Sequence, residues 1–274
     1  MDYYSLVTGA SSGIGKAIAT ELAGRKHNLL LISLPEQGLE KFSNFLQITY
    51  GIKTDWLETD LSISGTPKKV YEWAQNKKYM VNTLVNNAGV AGTMGIDMAD
   101  AKYIDDRLLV NVRALVVLCH YFIPDMKKLP EAYILNIASL SAFYAIPFKS
   151  IYAASKAFVV SFSRAISTEL KYSGISVSVV CPNGVRTNEG THTRIEAHGN
   201  IVRLTTVTPE QVAKSSVNGM LKRKFMIIPG HFNLFLLFIS RFMPSGLKQY
   251  LLYREFHKEI LLSGLTLEPG RRRA

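Results

Sequence analysis

Two residues four positions apart, Tyr152 and Lys156, combine a weakly acidic phenol with a cation. On a helix they share one face, so both side chains can point at one ligand. A free tyrosine has a pKa of about 10, and a nearby ammonium favours its phenolate form. The pair therefore predicts proton transfer to or from a bound oxygen atom. Because about one such pair is expected by chance in a chain with thirteen tyrosines, this prediction needs independent support.

A glycine-rich segment, residues 8–15, follows the first apolar run and precedes an amphipathic stretch. This position between a strand and a helix is typical of a loop that binds the phosphates of a dinucleotide. The glycines allow a tight turn and bring a pyrophosphate close to the positive end of the helix dipole. We predict that a side chain at Gly13 or Gly15 blocks this approach. An ordinary glycine-rich turn is the alternative for the loop considered alone.

The elements that must position these groups follow a regular order along the chain. Short runs rich in Val, Ile and Leu alternate with longer amphipathic stretches, which is typical of βα units and a parallel sheet. We predict one α/β domain with a doubly wound, three-layered parallel sheet, whose strand ends bring the loop and Tyr152 together. The predicted strands are residues 3–7, 28–32, 53–57, 83–86, 133–138, 175–181 and 225–228.

Helix starts and stops are predicted from capping residues. Gly24 and Gly174 are expected to end two helices in the left-handed conformation that glycine adopts readily. Ser150 is the predicted N-cap of the helix that carries Tyr152. Thr208 is the predicted N-cap of a later helix, with Pro209 at its first position.

Several motifs together resemble the short-chain dehydrogenase/reductase family. The pattern Thr-Gly-x-x-x-Gly-x-Gly matches residues 8–15, Asn-Asn-Ala-Gly matches residues 86–89, and Asp60 with Leu61 matches a pair that members place against adenine. The resemblance implies a Rossmann-like fold and a nicotinamide-dependent oxidoreductase. The second strand, the helix after it and the apolar C-terminal part look similar to those of members that reduce 3-oxoacyl chains, 3-ketosphinganine or hydroxysteroid ketones.

The resemblance also implies four catalytic residues. Ser139, at the end of the fifth predicted strand, would hold the substrate carbonyl, and Tyr152 would exchange the proton. Lys156 would stabilise the phenolate and hold the cofactor ribose, while Asn111 would hold a water that links the lysine to solvent. Ser141 is an alternative to Ser139, although the spacing to Tyr152 favours Ser139. For Asn111 the alternative is a surface amide.

A cofactor site follows from the same resemblance. Its predicted residues are Gly9, Ser11, Ser12, Gly13, Ile14, Gly15, Ser33, Asp60, Leu61, Asn87, Ala88, Gly89, Tyr152, Lys156, Pro182, Val185 and Thr187. Asn183 replaces a family glycine, and asparagine tolerates a left-handed backbone better than most residues. NAD-selective members usually carry an acid at the end of the second strand, where this chain has Ser33. The usual NADP arginine or lysine is also missing, so we predict NADP with NAD as the alternative, and no metal.

Two segments fall outside the motifs of the main domain, which we predict to span residues 1–230. Residues 188–207 are polar, with Arg194, His198 and Arg203, and lie where the family has a substrate lid. A disordered insertion is the alternative.

The C-terminal part is predicted to form an apolar helical extension, residues 231–266, and a loose basic tail, residues 267–274. Its apolar run is interrupted by charged residues and proline and is too short to span a membrane convincingly. Three alternatives remain open for this extension: docking on the core or on another subunit, contact of residues 232–262 with a membrane surface, or a hydrophobic mouth for a lipid-like substrate.

Composition limits the function classes. The chain has 274 residues, a formal net charge of +11 and only two cysteines. We expect a cytoplasmic protein, on a membrane surface if the extension contacts one, because no disulfide framework or signal peptide is predicted. No nucleic-acid motif accompanies the charge, so no nucleic acid is expected as a partner. Family members commonly form dimers or tetramers, and the same is expected here.

We therefore predict an enzyme that reduces a ketone to an alcohol, or runs the reverse reaction, with a lipid-like 3-oxoacyl, sphinganine or steroid ketone as the preferred substrate. Two alternatives remain. A dinucleotide-binding regulator needs only the phosphate loop and leaves Ser139, Tyr152 and Lys156 without a role. A relative that acts on a nucleotide sugar generally needs a larger C-terminal substrate domain than this chain has after its last predicted strand.

Overall fold

The chain folds around a parallel sheet whose strands are the predicted apolar runs. The computed structural model describes residues 2–185 and 205–262. Within them the strand order is β3-β2-β1-β4-β5-β6-β7, and every neighbouring pair is parallel. The strands are β1 (Tyr3–Thr8), β2 (Asn28–Ser33), β3 (Thr54–Glu58), β4 (Met80–Asn86), β5 (Ala132–Ile137), β6 (Ile175–Val180) and β7 (Met226–Ile227). The predicted sheet is confirmed, with strand ends that shift by a few residues.

Helices cover both faces of the sheet. They are α1 (Gly13–Gly24), α2 (Leu39–Tyr50), α3 (Thr66–Asn76), α4 (Ala101–Leu108), α5 (Leu115–Met126), α6 (Ser150–Glu169), α7 (Pro209–Leu221), α8 (His231–Ser240) and α9 (Ser245–Leu262). One buried apolar cluster includes residues of α3, α5 and α6, and a second includes residues of α1, α2 and α7. β1, β2, β5 and β6 are buried on both faces, as expected for a parallel sheet between helical layers, whereas the edge strand β3 is only partly buried. The three-layered Rossmann-like α/β architecture is thus confirmed.

Two of the predicted helix ends are wrong. Gly24 is the last residue of α1, and the left-handed residue that follows is Lys26, with φ of 67°. Ser150 is the first residue of α6 rather than its N-cap, which is Lys149. In both cases a residue type that commonly caps helices lies one or two positions away from the real boundary, and sequence alone does not fix helix ends more closely than this.

A third predicted helix end is also wrong, and only the Thr208 signal is confirmed. Gly174 has φ of 77°, but α6 ends at Glu169 with Leu170 as its C-cap, so Gly174 lies beyond the helix and directly before β6. Thr208 caps α7 through a hydrogen bond from the backbone N–H of Gln211, whose side chain accepts from the backbone N–H of Thr208. Pro209 occupies the first helical position, where its missing N–H costs no hydrogen bond.

The longest helical stretch runs from Ala101 to Met126. It consists of α4, a π-helical turn (Leu109–Ala114) and α5. By length and composition alone this stretch could cross a membrane. Its inner face nevertheless carries buried core residues, including Leu118 and Phe122, which pack in the same cluster as sheet residues. We interpret it as a helix that covers the sheet.

The strand order creates a crevice beside β1. β1 pairs with β2 on one side and β4 on the other, so the connections after β1 and β4 leave in opposite directions. Ligands of doubly wound folds bind at such a switch point, outside the carboxyl ends of the strands. The loops that follow β1, β4, β5 and β6 all open at this edge.

Candidate active site

A cavity of about 1040 Å³ opens at the carboxyl edge of the sheet. Most of the predicted site residues line it: Gly9, Ser11, Ser12, Gly13, Ile14, Ser33, Asp60, Leu61, Asn87, Ala88, Gly89, Ser139, Tyr152, Lys156, Pro182 and Val185. Thr187, Arg194, His198 and Arg203 lie outside the described residues, as do most of the predicted lid and the tail. The structure thus gathers the loop after β1, the ends of β4, β5 and β6, and one face of α6 around one cavity.

The loop after β1 is held by the segment that follows β4. The Thr8 hydroxyl accepts hydrogen bonds from the backbone N–H groups of Asn87 and Ala88, both at 3.0 Å. The Asn87 amide donates in return to the backbone oxygens of Thr8, at 2.9 Å, and Gly9, at 3.2 Å. Two motifs that lie far apart in the sequence therefore form one structural unit.

The glycines of the loop have separate functions. Gly9 and Gly13 have φ of 64° and 51°, a backbone conformation that disfavours side chains. A Cβ on Gly15 would lie 2.0 Å from the Gly9 oxygen and 2.4 Å from the Asn87 amide nitrogen. Gly15 is buried and does not line the cavity, so the expectation that its side chain would block a pyrophosphate directly is wrong. Its side chain would instead push the loop itself out of place.

The loop also provides an electrostatic setting for an anion. Ser11, Ser12 and Gly13 face the cavity at the start of α1, and the first turn of this helix carries no acidic residue. The free N–H groups of a helix start attract phosphate. The donor set and the glycine conformations therefore fit a dinucleotide pyrophosphate.

Ser139 and Tyr152 approach each other across the cavity. Ser139 leaves the end of β5, and its hydroxyl accepts from the backbone N–H of Ser141 at 3.1 Å. Burial raises the pKa of the Tyr152 phenol, and a hydrogen bond with the Ser139 side chain opposes part of this rise. The Ser141 hydroxyl is buried without a hydrogen-bond partner among the described residues. Of the two serines, Ser139 is therefore the one whose side chain affects the pKa of the phenol.

Lys156 is buried below Tyr152 on the same face of α6. Its ammonium nitrogen donates to the Ile137 oxygen at 2.9 Å and lies 5.9 Å from the centre of the Tyr152 ring. Burial lowers the pKa of Lys156 to about 8. We expected this cation to lower the pKa of Tyr152, but without a bound cofactor it does not. The ammonium donates to a backbone oxygen instead, and burial raises the pKa of the phenol.

Burial of Lys156 yields a stability prediction. Below about pH 8 both folded and unfolded chains carry the proton, and the desolvated cation costs the folded state about 3 kcal/mol. Between the folded pKa, about 8, and the unfolded value of about 10.4, only the unfolded chain keeps the proton, so stability rises with pH. We expect Lys156→Met to stabilise the protein by about 1 to 2 kcal/mol near neutral pH, since methionine loses the hydrogen bond but removes the buried charge.

Urea unfolding at about pH 7 and about pH 10 tests this expectation. The increase in the free energy of unfolding that Lys156→Met causes should be smaller at the higher pH. Lys69→Met, at an exposed position on α3, is the matched control, and it should change the free energy of unfolding little at either pH. A gain that is the same at both pH values would contradict a desolvated ammonium at Lys156.

Asn111 is buried, so its interpretation as a surface amide is wrong. Its side-chain oxygen accepts from the backbone N–H of Val90 at 2.7 Å, and its nitrogen donates to the Val90 oxygen at 3.0 Å and the Ser155 hydroxyl at 3.1 Å. It does not line the cavity. A Cβ on Gly89 would lie 3.3 Å from both the Asn111 oxygen and the Lys156 nitrogen. Asn111 therefore ties the loop after β4 to α6 beside the lysine.

Comparison with known proteins agrees with this geometry. A family model described as short chain dehydrogenase matches residues 4–197. The chain belongs to this family. The predicted family is thereby confirmed.

Individual relatives match this short-chain dehydrogenase over part of their length. Very-long-chain 3-oxoacyl-CoA reductase from Anas platyrhynchos is 34% identical over 190 residues, which cover 67% of this chain and 60% of the relative. Hydroxysteroid dehydrogenase-like protein 1 from Gallus gallus is 32% identical over 183 residues, 65% of this chain and 54% of the relative. This chain thus matches less than two thirds of the length of either relative.

Solved structures match over the whole chain. The short-chain dehydrogenase from Sphingobium yanoikuyae in complex with NADPH is 25% identical, with a TM-score of 0.74, and covers 100% of this chain and 98% of that chain. The helical extension of the present short-chain dehydrogenase therefore falls within the aligned region.

Several cavity residues were not predicted from the sequence. They include Leu34, Gln37, Val90, Tyr144, Ile146, Lys149, Leu236, Leu252, Glu255 and Phe256. Leu236, Leu252 and Phe256 come from α8 and α9, more than eighty residues after Tyr152 along the chain. The near-helical spacing of apolar residues in the extension was the available signal, but it does not reveal which face of a helix meets the core.

Proposed function

We propose that this short-chain dehydrogenase uses NADP(H) to interconvert a ketone and an alcohol, with Tyr152 as the proton donor or acceptor. The observation that carries the proposal is the meeting of Ser139, Tyr152 and Lys156 at one cavity beside the glycine loop. The bound cofactor would supply or accept the hydride. A non-catalytic regulator would leave this arrangement without a purpose.

The proposed proton transfer follows from the positions of the side chains. The Ser139 hydroxyl, which lines the same cavity as the phenol and lowers its pKa, would donate to the substrate oxygen and orient it. Tyr152 keeps its proton at neutral pH because burial raises the pKa of its phenol, so it is available as an acid for reduction. Lys156 would stabilise the phenolate that remains, once a cofactor ribose competes with the Ile137 oxygen for its ammonium. Asn111 acts as a positioning residue through Val90 and Ser155.

The preference for NADP rests on the end of β2. There the cavity is lined by Ser33, Leu34 and Gln37, none of which carries a negative charge. The Ser33 hydroxyl donates to the Leu34 oxygen at 3.0 Å, so it must rotate to donate to a 2′-phosphate. The NADPH complex of the Sphingobium yanoikuyae relative supports the same cofactor. NAD is the alternative.

The preferred substrate is a ketone with a long apolar body, such as a 3-oxoacyl chain, a sphinganine ketone or a steroid ketone. The apolar side chains that would bury such a body line the same cavity as Tyr152; they are Tyr144, Ile146, Leu236, Leu252 and Phe256. The name of the Anas platyrhynchos relative supports an acyl substrate. Each buried CH₂ contributes about 0.8 kcal/mol, so chain length should be a strong determinant.

Consumption of NADPH and NADH, measured with short and long 3-oxoacyl thioesters and a steroid ketone, tests this function. We expect kcat/KM to be at least about tenfold higher with NADPH than with NADH, and about tenfold higher for the long thioester than for the short one. Equal kcat/KM values for the short and the long thioester would contradict the proposal that the substrate has a long apolar body. Tight NADPH binding without turnover of any ketone would favour the regulator.

Assembly and location remain proposals. We infer that copies of the chain associate through the outer faces of α5 and α6, where Phe158 is exposed and stacks on Phe162 with ring centres 6.0 Å apart. Sedimentation velocity would measure the resulting dimer or tetramer. A cytoplasmic location is supported by both cysteines, which are free and buried.

A further inference from the structure

Apolar side chains are left uncovered along both C-terminal helices. We call this surface the apolar C-terminal face, and each of its residues is at least 41% exposed. It consists of Phe232, Leu234, Phe235, Phe238, Ile239, Phe242, Leu247, Tyr250, Leu251 and Tyr253. Exposed apolar side chains are usually scattered on a soluble protein, and a cluster of this size marks an interaction site.

The exposure of this face does not result from a detached helix. Asn233, on the inner side of α8, is buried and donates to the Thr205 oxygen at 3.0 Å and the Pro229 oxygen at 2.8 Å. At the other end of α8, the Ser240 hydroxyl lies 2.9 Å from the Tyr144 hydroxyl. Polar contacts at both ends thus fix the helix so that its aromatic side faces outward.

The charges beside the face identify its partner. The described side chains around it include the cations Arg241, Lys248, Arg254 and Lys258. Among the same described side chains, Glu255 is the only carboxylate between residues 231 and 258, and it lies 3.7 Å from Lys258. The sequence also has Glu259 near the end of α9, and beyond α9 it adds three arginines and Glu268; the whole chain carries a formal net charge of +11. Two copies of such a face would repel each other, whereas an anionic surface would attract it.

We propose that the apolar C-terminal face docks this protein on a bilayer that contains anionic phospholipid. Phe232, Phe235, Phe238 and Phe242 would enter the boundary between headgroups and acyl chains, where aromatic side chains are favourable. Arg241, Lys248 and Arg254 would meet the lipid phosphates. The combination of an apolar aromatic side and basic flanks is that of an interfacial helix rather than a spanning one.

Docking would also bring the catalytic cavity to the membrane. Leu236, Leu252 and Phe256 lie on the same two helices and line that cavity from the inside. An apolar molecule in the bilayer would then need to cross only the α8 and α9 layer. The docking itself depends on the outer face alone and does not rest on the proposed function.

Co-sedimentation of the full chain with vesicles tests the proposal. The vesicles are phosphatidylcholine alone or with about one third phosphatidylglycerol, and we expect the partition coefficient to be about tenfold higher with the anionic lipid. The double variant Phe235→Ser/Phe238→Ser should bind at least about tenfold more weakly, because two buried aromatic side chains are lost. Arg241→Gln/Arg254→Gln should lose most of the response to phosphatidylglycerol.

The matched control is Phe45→Ser/Ile48→Ser on α2. It removes two exposed apolar side chains with the same spacing, and Ile48 is 84% exposed. Its vesicle binding should equal that of the wild type, and thermal unfolding shows whether each variant folds. Absence of wild-type binding, or equal binding by Phe235→Ser/Phe238→Ser, would overturn the proposal. A smaller sedimentation coefficient of that variant without vesicles would overturn it in favour of a second copy on the face.

Discussion

Tyr152→Phe is expected to lower kcat by about a thousandfold or more while cofactor affinity changes less than about threefold. The substitution removes only the hydroxyl group, which is the proposed source of the proton. The ring remains in the cavity wall and still covers Lys156. Stopped-flow measurement of turnover, together with a fluorescence titration of NADPH, separates the chemical step from binding.

Tyr172→Phe provides the control for this experiment. Tyr172 is 92% exposed and follows α6, so the same chemical change there should leave both kcat and cofactor affinity unaltered. If Tyr152→Phe kept more than about a tenth of the wild-type kcat, another group would have to donate the proton. If it abolished NADPH binding, the effect on kcat would have a structural origin.

The sheet and the contents of the cavity could be predicted because their signals are local or positional. Apolar runs of strand length identify the parallel sheet, and the topology then brings every loop that follows a strand to one edge. For Tyr152 and the loop around Gly13, the positions in the sequence therefore implied a common location, and Ser139, which the resemblance selected, joined them because it follows the fifth predicted strand. Asn111 followed only from the resemblance, because nothing in its neighbourhood in the sequence indicates burial beside Val90 and Ser155.

The remaining features depend on distances that a sequence does not contain. The direction of the Lys156 ammonium depends on whether the Ile137 oxygen or another partner is nearer, and its lowered pKa depends on how completely the core covers it. The sequence predicted that Gly15 faces the ligand, but in the structure it packs against the backbone of the loop at Gly9. The sequence also did not show which faces of α8 and α9 turn toward the cavity. Both sides of α8 are apolar in sequence, and only the packing distinguishes Leu236, which lines the cavity, from Phe235, which is exposed.

Gly15→Ala is expected to have the largest effect on the cofactor site among substitutions that add a single methyl group. The new Cβ would lie 2.0 Å from the Gly9 oxygen and 2.4 Å from the Asn87 amide nitrogen, so the loop and the segment after β4 must separate. We expect the free energy of unfolding to fall by about 3 kcal/mol, the upper end of the usual cost of overpacking. NADPH affinity should fall more than about tenfold, because the displaced backbone no longer presents its N–H groups to the pyrophosphate.

Gly24→Ala, on the same helix, distinguishes a steric cause from a general effect of replacing glycine in α1. A Cβ there meets only the Tyr50 ring, at 3.8 Å, which is ordinary van der Waals contact. Alanine also favours the helix over glycine by about 1 kcal/mol, so this variant should be as stable as the wild type or more stable. Chemical denaturation and NADPH titration of both variants measure the two effects. Wild-type affinity in Gly15→Ala would show that the contact between Gly9 and Asn87 does not shape the phosphate loop, since that contact cannot survive the added methyl group.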